Sequence, residues 1–212
     1  MVKKTQRGFS LLELLIVVSI VMVIAAMATP SVLNTVRRYQ LESAARNVAS
    51  VLMRARYEAI RLNRRVNTIY FVDPIGNDPP AYGVDEGSPG PPVTTIPDGI
   101  LQDTEPQMPL STAVTMVGTG PGVPAFATMG TNYTAAAVTV LGPPGLPTYQ
   151  ISYGSVGTVI YQPTPGAGNP WIESNTVYVI LLQHNITQQY AAVTVTPAGR
   201  VRVWIWNGSE WA

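Results

Sequence analysis

The chain has 212 residues, of which 46% are hydrophobic and only 12% charged, with a formal net charge of +1. It contains no Cys and a single His, which excludes disulfides, thiolate metal sites and a lipoprotein anchor, and leaves almost nothing for His-based zinc binding or catalysis. The near-neutral total hides a segregation. Eleven of the thirteen basic residues lie at or before Arg65, and the other two are Arg200 and Arg202. Ser31–Arg65 carries eight Arg against Glu42 and Glu58, or +6, while Val66–Gly199 carries eight acids and no base, or −8. Two halves of opposite sign describe a tail and a head.

The chain opens with a basic leader, Met1–Gly8, holding Lys3, Lys4 and Arg7. Phe9–Ala28 follows as twenty mostly apolar residues interrupted by Glu13. As a helix they rise about 30 Å, enough to cross a bilayer, and the basic residues ahead of them keep the leader cytoplasmic. Ala26-Met27-Ala28 also reads as the cleavage site of a secretory signal peptide. Two features oppose that reading. A carboxylate at bilayer depth costs up to about 2.5–3.5 kcal/mol, which a disposable signal has no reason to carry. The helical pattern also continues past Ala28: Leu33, Val36, Leu41, Ala44, Ala45, Val48, Val51, Leu52, Ala55, Ala59, Ile60 and Leu62 recur at spacings of three and four. Pro30 falls between the two portions and is expected to kink the helix rather than end it.

The string Gly8-Phe9-Ser10-Leu11-Leu12-Glu13-Leu14-Leu15-Ile16-Val17-Val18, behind a basic leader and ahead of Pro30, resembles the processing motif of type IV pilins and type II secretion pseudopilins. The resemblance implies cleavage of the Gly8–Phe9 bond by prepilin peptidase and N-methylation of Phe9. It also implies that Glu13 sets the register of helices in a filament by pairing with the Phe9 amine of a neighbouring subunit. The physics agrees, because a carboxylate buried in lipid or in a filament core needs a positive partner. Before cleavage, Glu13 can instead snorkel to the cytoplasmic interface.

One helix from Phe9 to Arg65 is expected, its second part laid on a globular head. The Arg54–Arg65 run reads as a basic patch for DNA or lipid, or as a solvated face carrying the helix-neighbour pairs Arg54–Glu58 and Glu58–Arg61. After Arg65 the period turns to alternation. Strands are expected at Val66–Val72, Ala113–Val117, Ala136–Leu141, Tyr149–Tyr153, Thr158–Tyr161, Thr176–Gln183, Ala191–Thr196 and Arg200–Trp206. Pro74–Pro170 holds 17 Pro and 15 Gly, so long irregular loops are expected between them, with Gly76–Pro97 and Gly118–Pro124 the least strand-like.

The closing Thr196-Pro197-Ala198-Gly199-Arg200-Val201-Arg202-Val203, after a long helix and a β region, resembles the last strand of the GspH/FimT family of type II secretion minor pseudopilins and type IV minor pilins. Some members of that family bind DNA through a C-terminal Gly-Arg-x-Arg motif. Alternation places Arg200, Arg202, Trp204 and Trp206 on one face of a strand, with Val201, Val203 and Ile205 on the other. Such a strip contacts phosphates and stacks on bases, or it is an amphipathic strand whose Arg residues pair with acids such as Glu173. Asp98, Asp103 and Glu105 lack the ligand alternation and Gly of a calcium loop and read as acidic loop residues. His184 is expected to cap a strand or begin a turn. No Walker loop, dinucleotide fingerprint or nucleophile elbow is present, so no enzyme activity, metal or cofactor is expected.

The expected fold is α+β and pilin-like: a long kinked N-terminal helix, its first half membrane-spanning, packed on an antiparallel β-sheet head with long Pro/Gly-rich loops. The expected divisions are a leader at 1–8, a transmembrane or filament-core helix at 9–29, an amphipathic continuation at 30–65 and a β-rich head at 66–212. The resemblance implies a subunit of a type II secretion pseudopilus or type IV pilus, set in the bacterial inner membrane with a periplasmic head. The implied partners are sister pilins, prepilin peptidase and secreted cargo. DNA uptake through the Gly-Arg-x-Arg strand is the alternative role.

Overall fold

A computed structural model describes residues 11–71, 80–85, 105–129, 138–140, 150–162 and 170–212. Gly8, Phe9, Asp98 and Asp103 therefore lie outside the described residues. Leu11–Leu62 forms a single helix, α1, which runs through Pro30. Pro30 offers no N–H to the Ala26 carbonyl, and just before it the Thr29 Oγ1 donates to the Ala25 carbonyl at 2.8 Å. Ser19 and Thr35 do the same toward Leu15 and Ser31. The hydroxyls of this apolar segment are thus satisfied within their own helix, as a nonpolar surrounding requires.

The chain divides into two compact units, one up to Arg38 and one from Tyr39 to Ala212, with the division inside α1. In the first, every described residue up to Val36 is exposed, and the segment is long and apolar enough to cross a membrane. In the second, α1 buries one face: Leu41, Ala44, Ala45, Val48, Ala49, Val51, Leu52, Ala55 and Ala59. Leu33, Val36 and Ile60, expected on that face, are exposed. Five of the nine buried residues are Ala, which lets the strands approach the helix backbone closely.

α1 stops three residues before the expected Arg65. Asn63 adopts a left-handed φ of 48°, the Arg64 N–H reaches the Ala59 carbonyl at 3.2 Å, and the Asn63 N–H reaches the Ile60 carbonyl at 3.3 Å. These are the two hydrogen bonds of a Schellman cap, with Asn in the place Gly usually takes.

The strands are β1 (Val66–Phe71), β2 (Ala81–Asp85), β3 (Gln107–Pro109), β4 (Val114–Val117), β5 (Val138–Val140), β6 (Ile151–Tyr153), β7 (Val159–Tyr161), β8 (Ile172–Glu173), β9 (Val177–His184), β10 (Tyr190–Val195) and β11 (Val201–Ile205). One sheet runs β3-β2-β1-β6-β7-β8, all antiparallel; the other runs β11-β10-β9-β4. β5 departs from the expected antiparallel head. It lies parallel to β9 along Val177–Val179, while β4 pairs antiparallel with Leu181–His184. β9 is eight residues long, so two short strands share one of its edges.

Three strands lie outside the expected set. β2 falls within Gly76–Pro97, β3 ends on a Pro and β8 has two residues. β2 is buried along its length and registers with β1 from Asn67↔Asp85 to Phe71↔Ala81. Its Tyr82 hydroxyl meets Thr68 Oγ1 at 2.8 Å, and that Thr also donates to the Ile151 carbonyl at 3.2 Å. Long-range pairing makes a strand here despite a Gly and flanking Pro residues.

The main core lies between the buried face of α1 and both sheets, joining Val66, Tyr70, Tyr82, Val84, Ile151 and Tyr153 with Ile180, Leu182, Ala191 and Val193. A second, smaller core lies on the other face of β9–β11 and contains Met129, Val179, Leu181, Ala192, Trp204 and Trp211. β9 is therefore sandwiched between two cores, which its nearly unbroken apolar run reflects.

Candidate functional site

The expected site residues fall at two places. At the start of α1, Glu13 is the acidic residue of the first helical turn and belongs to the exposed apolar segment. A carboxylate there suits the partial positive charge of a helix N-terminus. Around it the exposed side chains are Leu11, Leu12, Leu14, Leu15 and Ile16, a surface that lipid or other apolar helices would cover.

At the other end of the chain, β10 and β11 form a hairpin whose turn is the Thr196–Gly199 segment. The Gly199 N–H donates to the Thr196 carbonyl at 2.8 Å, the Arg200 N–H to Thr196 Oγ1 at 3.1 Å, and the Thr196 N–H to the Arg200 carbonyl at 3.0 Å. Pro197 supplies the fixed φ of the turn, and Gly199 has φ 76°. Gly199 is needed twice over. A Cβ there would crowd the Gly157 carbonyl and stand 2.8 Å from Arg56 Nε. The Arg56 Nε–H instead donates to the Gly157 carbonyl at 3.0 Å, and the Val159 N–H donates to the Pro197 carbonyl at 2.8 Å. The Gly of the Gly-Arg-x-Arg motif thus closes a lock between α1, the β6–β7 turn and the β10–β11 turn.

The alternation along β11 places Arg202 and Trp204 together, the guanidinium lying over the indole 3.9 Å from its centre. The strip is not the open one that alternation implied. Arg200 and Arg202 are exposed, but Trp204 is only 5% exposed and donates its indole N–H to Thr194 Oγ1 at 3.0 Å. Trp206 is partly buried and packs on Trp211, 5.3 Å between ring centres. Trp204 belongs to the second core, with one face already covered by Arg202. Glu173 accepts a hydrogen bond from Thr158 Oγ1 at 3.1 Å.

Trp211 carries a role that alternation could not reveal. Asn207 Oδ1 accepts from the Ser209 and Glu210 N–H groups, each at 2.9 Å, and reverses the chain. Trp211 then bridges Trp206 and donates to the Ala125 carbonyl at 3.0 Å. Ala212 exchanges both backbone hydrogen bonds with Ile205, covering that part of the outer edge of β11. The Asn-Gly-Ser sequence before Trp211 is the signal for this return.

On the helix surface, Glu58 pairs with Arg61 at 2.6 Å and Glu42 with Arg46. Arg65 turns inward: its guanidinium lies over Trp171, 4.2 Å from the ring centre. Burial lowers its pKa while Asp85, itself fully buried, acts the other way. Glu105 is buried as well, not a solvated loop acid as its sequence surroundings suggested. His184 is fully buried, its Nδ1 accepting from the Ile186 and Thr187 N–H groups at 3.3 and 3.4 Å. That is the turn-forming role its position implied.

Residues 3–29 match the family model described as the prokaryotic N-terminal methylation motif. The chain is pilin-like. The Pilin-like protein PilA1 of Thermus thermophilus is 43% identical to it over 72 residues, 34% of this chain and 45% of that protein, so the chain spans less than half of this curated relative. Among solved structures, the type IV minor pilin FimU of Pseudomonas aeruginosa PAO1 is similar at 15% identity and a TM-score of 0.42, covering 82% of this chain and 94% of that one. The minor pseudopilin EpsH from the Type 2 Secretion System of Vibrio cholerae is similar at 12% identity and a TM-score of 0.38, covering 78% and 97%. In this pilin-like chain the matched motif ends one residue before Pro30. It therefore takes in Glu13 and most of the exposed apolar segment, and none of the head.

Proposed function

We propose that this pilin-like chain is a minor pilin or pseudopilin, a non-catalytic subunit of a filament of the type IV pilus and type II secretion class. Prepilin peptidase cuts it between Gly8 and Phe9 and the new Phe9 amine is methylated. The apolar helix holds it in the bacterial inner membrane with its head on the periplasmic side, until sister pilins take the place of lipid around that helix. The observation that supports this reading is a fully exposed apolar helix, Leu11–Val36, bearing a carboxylate in its first turn and lying largely within a methylation motif. Such a surface is unstable in water and stable in lipid or against like helices, and the carboxylate requires a cation wherever water is excluded.

Glu13 then pairs with the Phe9 amine of the next subunit and fixes the axial register, with Pro30 adapting the helix between core and head. Replacing Glu13 by Ala is expected to leave membrane insertion and head folding intact and to abolish incorporation into filaments, scored by shearing and quantifying the assembled fraction. Incorporation at the unsubstituted level would refute the register role.

A further inference from the structure

The hairpin between β9 and β10 presents one large apolar side chain at its tip, Ile186, which is 65% exposed. A single exposed Ile is ordinary on a soluble surface, so its surroundings decide. Three observations set this tip apart.

The tip is built to hold its shape. His184 Nδ1 accepts from the N–H groups of Ile186 and Thr187, the Gln188 side-chain amide donates to the Asn185 carbonyl at 2.8 Å, and Asn185 donates to the Thr112 carbonyl at 3.2 Å while accepting from Thr115 Oγ1. It is also uncharged: neither 183–189 nor the adjoining 111–116 contains an Asp, Glu, Lys or Arg. Finally, the tip is tied to a particular level of α1. With Nδ1 used as acceptor, the His184 proton sits on Nε2, which faces Gln40 Oε1 at 3.4 Å. Gln40 directly follows Arg37, Arg38 and the exposed Tyr39 in the chain, where the apolar run ends. Cations and an aromatic at the end of an apolar span mark the membrane–water interface.

The β6–β7 turn supplies an internal contrast. Its tip carries Val156, just as exposed at 69%, but it is tied to α1 at Arg56 through the Gly157 carbonyl. Sixteen residues separate Gln40 from Arg56, about 24 Å along a helix axis. Two tips of equal apolar exposure therefore stand at different levels of one helix.

We propose that the β9–β10 tip is a lipid-contacting element of the head: Ile186 enters the interfacial layer of the bilayer that α1 spans, at the level of Tyr39 and Gln40, and fixes how the head stands on the membrane before assembly. This rests on the membrane-anchored reading above. The chain has no Cys, so single thiols can be placed at will in the full chain. Ile186→Cys, Val156→Cys and Val23→Cys, each labelled with an environment-sensitive fluorophore, would be reconstituted into phosphatidylethanolamine–phosphatidylglycerol vesicles with and without brominated acyl chains.

The expected result is strong quenching at 23, a blue shift with partial quenching at 186, and neither at 156. Quenching at 23 with position 186 behaving like 156 would overturn the lipid contact and leave the anchoring intact. Absence of quenching at 23 would overturn both. A shift at 186 that grows with the protein-to-lipid ratio would assign the tip to a contact between subunits and also overturn the proposal.

Discussion

The two parts of α1 have the same secondary structure and nearly the same taste for aliphatic residues, yet opposite surroundings. Leu15 is 58% exposed and Leu52 is fully buried. The difference lies in how the apolar residues are arranged. Up to Val36 they occupy all sides of the helix, so no protein face could be set aside for water. From Leu41 to Ala59 they keep to one stripe, and many are Ala, so a sheet can lie against them while Arg38, Arg46, Arg54 and Arg61 stay outside. Helix formation is common to both parts; the burial partner is not, and the all-round pattern leaves lipid or other helices as the only covering.

The strongest way to break this comparison is to make one substitution in both parts. Leu52→Ala is expected to destabilise the head by about 2–5 kcal/mol, since it opens a cavity in a packed core. Leu15→Ala should leave the denaturant midpoint of the head, followed by circular dichroism in detergent, where it was. Equal effects would mean that the exposed segment packs on the head after all.

A smaller effect tests how the lower part of α1 is locked in place. Gly199→Ala puts a Cβ on a left-handed residue beside Arg56 and the Gly157 carbonyl. It should lower head stability by about 1–3 kcal/mol, seen as a reduced thermal midpoint, with the apolar segment still inserting in membranes.

The smallest effect at ordinary pH, sharpening only in alkali, comes from the phenols beneath the lower part of α1. Burial raises the pKa of Tyr70, Tyr82 and Tyr153, with hydrogen bonds to Tyr70 and Tyr82, and Arg56 near Tyr153, opposing it in part. In each, the folded pKa lies above the unfolded one, so the unfolded chain loses its protons first. Stability is thus complete below about pH 10 and falls as pH rises from there toward the folded values. Head unfolding monitored from about pH 8 to 12 should show a loss beginning near the ordinary phenol pKa of about 10. Helicity of the bilayer-inserted segment should persist through it, and a flat profile would mean the three hydroxyls are not buried.

Much of the fold was legible because its signals are local. The apolar run, Glu13, Pro30, the stripe from Leu41 to Ala59 and the alternation in β9, β10 and β11 each declare themselves within a few residues. Where the reading failed, the deciding partner was distant in sequence. β2 looked like loop until β1 paired with it, and Glu105 looked solvated until it was found buried. The helix end was missed for a different reason: Asn63 is a local signal, but weaker than Gly. At the C-terminal strand, alternation correctly put Arg202 and Trp204 on one side of β11. It could not say that this side meets a second core, because Met129, Val179 and Leu181 come from other parts of the chain.

The sequence by itself determined that this protein has an apolar helix with a carboxylate near its start, a basic amphipathic continuation and a β-rich acidic head. Those features depend on residue spacing and charge order, which no fold can alter. Only the tertiary structure decided which side chains remain available. Trp204 is taken by the fold, Gly199 is required by Arg56 and Gly157, and Ile186 is held out at the level of Gln40. Availability depends on what other segments bury, and that is settled by packing between residues far apart in the chain.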